Sequence, residues 1–273
     1  MSALIDRPTA GRLSRHVEHV MGMPISIALR GRHADTTTGH RAWTAVLDQL
    51  REVDRIFSTY RDDSIVNRLD RGELDLDQCP REVAEVLDLG REAERQSGGA
   101  FSICLPTTHG RRRLDPSGVV KGWAVERASH LLSDLDDTDF CLSAGGDMVC
   151  HTADVERPDW RIGIENPRNP RMLIAVVPIR SGAVATSGTA HRGQHLMDAR
   201  TGLPVHGVAS VTVVGSSLTW ADIDATAAYA HGAAAASWLS GRPGRTGLVV
   251  WPDTTTTIVD GRSNVDGRST LAG

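Results

Sequence analysis

The sequence has few aromatic residues and no excess of positive charge. Phe, Trp and Tyr make up 4% of the 273 residues, and the formal net charge is -4. Proteins that bind single-stranded nucleic acid stack bases on aromatic side chains, and those that bind duplexes present basic surfaces. Because both signals are missing, the composition argues against nucleic acid as a partner. The densest basic run, Arg111 to Arg113, is typical of a solvated loop.

Cysteine is scarce, and its spacing excludes the common zinc sites. Cys79, Cys104, Cys141 and Cys150 are far apart, with no CxxC pair and no neighbouring histidine tract. We therefore predict free, mostly buried thiols in a reducing compartment.

Long apolar runs are also missing. The first 20 residues lack the continuous apolar stretch of a signal peptide. The Ala-rich run from Ala225 to Leu239 is interrupted by His231 and Gly232, and it is shorter than the roughly 20 residues that span a bilayer. These absences favour a cytoplasmic protein with no membrane anchor.

Neither GxGxxG after a strand nor GxxxxGK[ST] occurs, so the two commonest nucleotide-binding motifs are absent. What is present is a mixture of patterns: apolar residues at helical spacing from Trp43 to Phe57, and strand-like runs from Phe140 onward. Because there is no regular βαβ rhythm, we predict the α+β class, with mixed or antiparallel sheets and flanking helices. The predicted organisation is a flexible lead at residues 1–20, one domain at 21–259 and a disordered tail at 260–273.

The stretch at residues 183–202, AVATSGTAHRGQHLMDARTG, begins as an apolar strand and then becomes polar. Small hydroxyl residues at Thr186 and Ser187 are followed by His195, Asp198 and a Thr-Gly turn at Thr201. Polar atoms at the end of a strand are typical of ligand sites, and equally of an ordinary polar loop.

Two further segments allow a binding or a structural interpretation. In LDPSGVVKGWAVE, residues 114–126, Lys121 follows a turn just inside a predicted helix. There its ammonium could meet a phosphate, or it could simply be solvated. In LSAGGDMV, residues 142–149, a strand ends at Gly145 and Gly146, which favours either close approach of a ligand or a hairpin turn.

The segment TWADIDATAAYAHG, residues 219–232, places Asp222 and Thr226 four residues apart. On a helix their oxygens lie on one face and could share a hard cation. The alternative is structural, because Thr219 and Asp222 have the spacing of a capping box. We expect Asp224 to be solvated.

In chain order, the segments of this sequence resemble the ApbE family, the FAD:protein FMN transferases. The resemblance spans about residues 20 to 251. It is carried by MGMPISIAL, VDRIFSTYRDDSIVNRLDRGE, SGGAF, LDPSGVVKGWAVE, SAGGD, WRIGIENP, AVATSG, HLMDARTGLPV and SVTVVGSSLTWADIDAT.

The resemblance implies an ApbE-like fold and a magnesium-dependent enzyme. Such an enzyme binds FAD, moves its FMN half to a threonine or serine of an acceptor protein, and releases AMP. The implied acceptor motif is Asp or Ser, two residues of any kind, then Thr or Ser.

The resemblance also implies roles for individual residues. Asp222, Thr226 and the carbonyl of Gly118 correspond to the metal ligands, and His195 corresponds to the candidate base, so that His195 and Asp222 are the implied catalytic residues. The residues implied to bind FAD are Met21, Tyr60, Gly118, Lys121, Ala144, Gly145, Gly146, Asp147, Thr186, Ser187, Gly188, Asp198 and Thr201.

Three residues depart from the family pattern. Gln194 replaces the first of two adjacent histidines, Ala199 replaces a proline, and Ser102 replaces a frequent aspartate. Two other functions therefore stay open: hydrolysis of FAD to FMN and AMP, and FAD binding without catalysis. The tail repeats Asp-Gly-Arg-Ser at 260–263 and 266–269, a loose match to the acceptor pattern that raises the hypothesis of self-modification.

Overall fold

A computed structural model describes residues 13–106, 112–188 and 197–261. Its strands are β1 (Leu13–Val20), β2 (Met23–Gly31), β3 (Cys104–Pro106), β4 (Arg112–Leu114), β5 (Thr138–Ala144), β6 (Asp147–His151), β7 (Trp160–Asn166), β8 (Asn169–Ile179), β9 (Gly182–Gly188), β10 (Met197–Asp198), β11 (Leu203–Pro204), β12 (Ser210–Gly215), β13 (Thr246–Val250) and β14 (Thr256–Asp260). Its α-helices are α1 (Thr37–Phe57), α2 (Ile65–Asp70), α3 (Arg81–Gln96), α4 (Ser117–Ser129), α5 (Leu218–Ala230) and α6 (Ala235–Ser240).

Eight of the strands form one sheet in the order β1-β2-β5-β6-β9-β12-β13-β14. Every neighbouring pair in this sheet is antiparallel. Three two-stranded ribbons, β3-β4, β7-β8 and β10-β11, accompany it. With helices separated from an antiparallel sheet, the predicted α+β class is confirmed.

Helices α1, α4 and α5 cover one face of the sheet. The apolar positions of α1 from Trp43 to Phe57 are buried, as their helical spacing predicts, and they share a core with α4, α5 and the central strands. Thr36 caps α1, because its side-chain oxygen accepts a hydrogen bond from the amide of Gly39. The β7-β8 hairpin packs on the opposite face, where its Ile162 and Ile164 belong to one buried cluster with Cys150 of β6.

The predicted flexible lead is wrong for residues 13–20, which form edge strand β1. All eight residues of β1 pair with β2, from Leu13 opposite Arg30 to Val20 opposite Met23. Only Val20 of this strand is buried. Because most of its side chains face solvent, the sequence of this edge strand shows only a weak hydrophobic pattern. The ladder rather than burial holds it in place.

The other end of the chain also differs from its prediction, at Asp260 and Gly261. Gly261 is buried, and its amide donates to the carbonyl of Arg245. Asp260, assigned to the disordered tail, pairs with Thr246 as the last residue of β14. Residues 262–273, with most of the predicted tail, lie outside the described residues.

The four thiols are free, as predicted, but they are not mostly buried. Cys150 is buried, whereas Cys79, Cys104 and Cys141 are partly exposed. Among the helices of the described residues, none is both long and apolar enough to cross a bilayer.

Candidate active site

A cleft of about 1080 Å³ opens between one end of the large sheet, helices α4 and α5, and the β7-β8 hairpin. This volume lies just above the usual range for small-molecule sites, roughly 300–1,000 Å³. Of the residues implied by the sequence, those lining the cleft are Met21, Tyr60, Gly118, Lys121, Gly145, Gly146, Thr186, Ser187, Gly188, Asp222 and Thr226. Segments up to 205 residues apart in sequence therefore meet in one cavity.

Two tight hairpin turns lie side by side in the cleft wall. Met21 and Gly22 join β1 to β2, and Gly145 and Gly146 join β5 to β6; all four have positive φ angles. Two-residue hairpin loops favour this conformation because its twist matches that of the strands. The amide of Gly145 donates to the carbonyl of Pro24, which fixes the two turns against each other.

Lys121 lies between two buried carboxylates. Its ammonium is 3.2 Å from Oδ1 of Asp222 and forms a second ion pair with Oδ2 of Asp147. The lysine side chain is 20% exposed, whereas the side chains of Asp147 and Asp222 are 2% and 4% exposed. The interpretation of Lys121 as a solvated residue is therefore wrong, since α4 directs it into the site.

Asp147 also holds the sheet together at the point where two strands separate. Strands β6 and β9 pair only from Met148 opposite Val184 to Cys150 opposite Gly182. One residue beyond this ladder, Oδ1 of Asp147 accepts a 2.9 Å hydrogen bond from the amide of Thr186. A side chain thus takes the place of a backbone acceptor, and the gap between the strands becomes part of the cleft.

Helix α5 carries Asp222 and Thr226 on the face that meets α4 and β9. Oδ2 of Asp222 accepts a 3.1 Å hydrogen bond from the amide of Gly122, and the hydroxyl of Thr226 is 2.9 Å from that of Ser187. The two residues therefore lie on one helix face, as their spacing predicts, and both line the cleft.

Other residues cap α5, which excludes the capping role for Asp222. Ser217 is the N-cap, with its side chain accepting from the amide of Trp220. Oε2 of Glu126, on α4, accepts 2.9 Å hydrogen bonds from the hydroxyl of Ser217 and from the amide of Thr219. Asp222 therefore has no capping role, and its carboxylate faces Lys121 in the cleft.

Burial dominates the electrostatics of this cluster. It raises the pKa of the Asp222 carboxyl to about 7, since desolvation outweighs the attraction of Lys121 and the negative charge of Asp147 adds to the effect. Burial alone lowers the pKa of Lys121, but Asp222 and Asp147 outweigh it and raise that pKa overall. With Asp222 ionised, two carboxylates share one ammonium, and the site holds one negative charge in excess.

A hard cation fits this excess charge. The oxygens available are a carboxylate at Asp222, a hydroxyl at Thr226 and the main-chain carbonyl of Gly118 in the first turn of α4, and all three residues line the cleft. Magnesium prefers such a set, with few protein oxygens and further ligands from water or phosphate. Within the described ranges, no group of three or more His, Cys, Asp or Glu side chains forms an alternative metal site.

Comparison with known proteins identifies the family of this chain. The model of the ApbE family matches residues 21–109 and 104–249, which include the cleft residues from Met21 to Thr226. This chain belongs to the ApbE family.

Relatives of known name are similar over part of their length. The FAD:protein FMN transferase of Haemophilus influenzae is 28% identical over 151 residues, which cover 48% of this chain and 44% of the relative. That of Vibrio cholerae is 30% identical over 135 residues, covering 46% of this chain and 39% of the relative. The matched regions therefore span less than half the length of these curated relatives.

Solved ApbE structures share the whole architecture. The ApbE protein from Thermotoga maritima superimposes with a TM-score of 0.78 at 20% identity, covering 92% of this chain and 98% of that one. The apo form of the flavinyl transferase ApbE from Pseudomonas stutzeri gives a TM-score of 0.78 at 20% identity, with 93% and 96% covered. At this identity the likeness shows the ApbE fold.

Some implied site residues of this ApbE chain do not line the cleft. Ala144 is fully buried in the core, and Asp147 reaches the site through its contacts with Lys121 and the amide of Thr186. Asp198 forms a bidentate ion pair with Arg200, which lowers the pKa of its carboxyl; Thr201 follows in the same turn. His195 and Gln194 lie outside the described residues.

The prediction for Asp224 is wrong. Asp224 is 1% exposed and pairs with Arg242 at 2.9 Å and Arg245 at 2.8 Å, so it anchors α5 to the chain after α6. The local sequence does not distinguish the role of Asp222 from that of Asp224. Their partners lie on different sides of the helix and come from other segments of the chain.

The ApbE cleft also contains residues that the sequence did not single out. Ser210, the first residue of β12, lines the cleft opposite Gly188, and its buried hydroxyl has no hydrogen-bond partner in the part of the chain that the structure describes. Phe101 lies against Gly118, where an added Cβ would be 3.0 Å from its ring. No local sequence pattern marks these two residues, since Ser210 begins a mainly apolar strand and Phe101 belongs to a loop. Only the tertiary structure brings them to the cleft.

Proposed function

We propose that this chain transfers the FMN moiety of FAD to a threonine or serine hydroxyl of an acceptor protein, with release of AMP and with dependence on Mg²⁺. The observation that carries the proposal is the cluster at the cleft floor: two buried carboxylates share the ammonium of Lys121, beside the hydroxyl of Thr226. Membership of the ApbE family supports the same reaction.

The cleft suits a dinucleotide with a charged centre. Met21 and Phe101 offer apolar contacts in the cleft lining, and Tyr60 is 97% exposed and free to cover an aromatic ring. The hydroxyls of Thr186 and Ser187 offer hydrogen bonds at the strand end. We assign the pyrophosphate to the polar floor beside Lys121, because a polyanion requires a cation there.

Asp222, Thr226 and the carbonyl of Gly118 would hold the metal ion. When bound, Mg²⁺ supplies neutralisation of the pyrophosphate charge and of the charge that develops on the leaving phosphate. Lys121 keeps its proton throughout, because Asp147 and Asp222 raise its pKa, and its ammonium orients the phosphate oxygens.

In the reaction, the hydroxyl oxygen of the acceptor forms a bond to the phosphorus of the FMN half. The bond between this phosphorus and the bridging oxygen breaks, and the oxygen leaves with AMP. The proton of the hydroxyl goes to a base, a role that the family resemblance implies for His195. Asp198 and Thr201 belong to the turn after this segment and, as the family resemblance implies, would help to bind FAD.

A direct test uses the purified chain, FAD, Mg²⁺ and a peptide with the motif Asp-x-x-Thr, with a matched peptide in which the threonine is alanine. We expect the first peptide to gain the mass of FMN while an equal amount of AMP appears, and the second to remain unmodified. Omission of Mg²⁺ and the variant Asp222→Asn should each slow both changes by about 100-fold or more.

Two results would contradict the transferase assignment. Release of FMN and AMP in solution, with no peptide modified in a panel that varies the residues around the motif, identifies an FAD pyrophosphatase. Binding of FAD with no AMP released under any condition identifies a flavin-binding protein without catalysis.

A further inference from the structure

Three sulfur atoms form a row on strands β5 and β6, on the face that the β7-β8 hairpin covers. Cys141 and Cys150 are direct cross-strand partners, and their Sγ atoms are 3.5 Å apart. The Sδ atom of Met148 is 3.9 Å from Sγ of Cys141. The thiol of Cys150 donates to the sulfur of Cys141, which in turn donates to Met148.

We propose that Cys141 and Cys150 are a modification site at which a low-molecular-weight disulfide oxidises the pair to an intramolecular disulfide. The proposal does not depend on the transferase function, because it concerns thiols that the cleft chemistry does not use.

The backbone already has the geometry that such a bond requires. Directly opposed residues of an antiparallel pair have Cα atoms about 4.5 to 5.5 Å apart, which lies within the range of roughly 4.4 to 6.8 Å found across disulfides. The sulfur atoms need to approach by only about 1.5 Å to reach the S–S bond length of about 2.05 Å. Side-chain rotation is sufficient, so the strands need not separate.

The two thiols differ in access, which sets the order of the reaction. Cys141 is partly exposed, whereas Cys150 is buried in one apolar cluster with Ile162 and Ile164. A hydrogen bond from the Cys150 thiol lowers the pKa of Cys141 against the opposing effect of burial, so the thiol of the more exposed residue is also the better nucleophile.

The exchange balances without any further reagent. The thiolate of Cys141 attacks one sulfur of the small disulfide, forming a mixed disulfide and releasing one thiol. The sulfur of Cys150 then attacks Cys141, expels the second thiol, and gives it the Cys150 proton. The protein pair loses two electrons, and the small disulfide gains them as two thiols.

The pair lies close to the cleft. Cys150 follows Asp147 by three residues on β6, and Met148 both contacts Cys141 and lines the cleft. A disulfide here fixes the hairpin that carries the Gly145-Gly146 turn and Asp147.

The test incubates the reduced full-length chain with glutathione disulfide, alkylates the remaining thiols and identifies each cysteine by mass spectrometry. Cleavage on the amino side of Asp147 separates Cys141 from Cys150, so a disulfide appears as two linked peptides. We expect two of the four thiols to be lost and this linked pair to be the product. Accumulation of Cys141 as a glutathione adduct, with Cys150 still alkylated, would overturn the proposal.

Variants provide matched controls. A double variant, Cys79→Ser with Cys104→Ser, should form the linked pair to the same extent, because both cysteines are partly exposed and neither is the strand partner of another cysteine. Cys141→Ser should leave Cys150 fully alkylated after the same incubation. Oxidation of Cys150 in that variant, or loss of the linked pair in the double variant, would also contradict the assignment.

Discussion

The amide of Gly122 donates a 3.1 Å hydrogen bond to Oδ2 of Asp222, which joins helix α4 to helix α5 at the floor of the cleft. The contact requires glycine. A Cβ atom at position 122 would be 2.9 Å from the carbonyl oxygen of Leu218 and 3.0 Å from Cβ of Asp222.

Gly122→Ala should therefore push α5 away from α4. Alanine favours a helix by about 1 kcal/mol over glycine, but overpacking against a backbone carbonyl costs about 1–3 kcal/mol. We expect a net loss of unfolding free energy and at least a tenfold fall in FMN transfer, measured by urea denaturation and by peptide flavinylation. Gly241→Ala is the control, because its nearest contact is 3.4 Å, and it should change neither quantity appreciably.

Substitutions at Asp222 and Asp224 should have opposite effects: one should lower activity and the other should lower stability. Asp222→Asn keeps the hydrogen bond from Gly122 and leaves one carboxylate for Lys121, so we expect an unfolding free energy equal to that of the wild type or higher without divalent cations. Transfer should fall by about 100-fold or more, because the metal loses its only charged ligand among the three proposed.

Asp224→Asn should do the reverse. It leaves Arg242 and Arg245 without their buried partner, which costs about 3–5 kcal/mol of stability. Below its lowered melting temperature, the variant should retain most of its activity. Calorimetry and flavinylation on the same preparations test both variants, and equal losses of activity in the two would contradict the assignment.

Met21 has a φ angle of 56°, a backbone conformation that residues other than glycine rarely adopt. Met21→Gly should relieve this strain and raise the unfolding free energy by up to about 1 kcal/mol. Since Met21 lines the cleft, the same change should weaken FAD binding about fivefold, as expected for partial loss of apolar contact.

Thr254→Gly is the matched control for Met21. Thr254 has a φ angle of 72° in the turn between β13 and β14, and it does not line the cleft. It should give a similar gain in stability with unchanged FAD affinity. Fluorescence titration of FAD compares the two variants, and unaltered affinity in Met21→Gly would place the flavin elsewhere.

Asp139 should make the fold sensitive to acid. Burial alone would raise the pKa of its carboxyl, but hydrogen bonds from Arg30, the Ala153 amide and Arg157 outweigh burial and lower that pKa. The carboxylate therefore stabilises the folded state above its unfolded pKa of about 3.9, and this stability is lost as the pH falls through the lower folded value.

Asp139→Asn should accordingly cost about 2–3 kcal/mol at pH 7, and the difference from the wild type should shrink below about pH 4. Urea denaturation across this pH range measures it. Asp136→Asn is the control: Asp136 is exposed and pairs with His33 and Arg32, and because solvent screens these pairs its loss should cost much less stability than the loss of Asp139 across the same range.

The sequence predicts the parts of this molecule whose signals are local. The helical spacing of α1, the position of Asp222 and Thr226 on one helix face and the glycine turn at residues 145–146 all follow from short-range patterns. Strand β1 is missed, because an exposed edge strand has little hydrophobic alternation.

Long-range partners set the remaining features. Whether Lys121 of α4 is solvated or buried depends on its ion pair with Asp147 of strand β6. The role of Asp224 depends on arginines about 20 residues further along the chain. Such pairings leave no periodic trace. They follow only when the strand order and the packing of α4 on α5 are known.

The gap between β6 and β9 gives the protein a natural spectroscopic probe. The amide of Thr186 donates to Asp147, whose other oxygen pairs with Lys121. Any ligand or ion that draws Lys121 away must redistribute charge on that carboxylate and alter this one hydrogen bond. The proton chemical shift of a single backbone amide, which need not contact the ligand, therefore records events at the cleft floor.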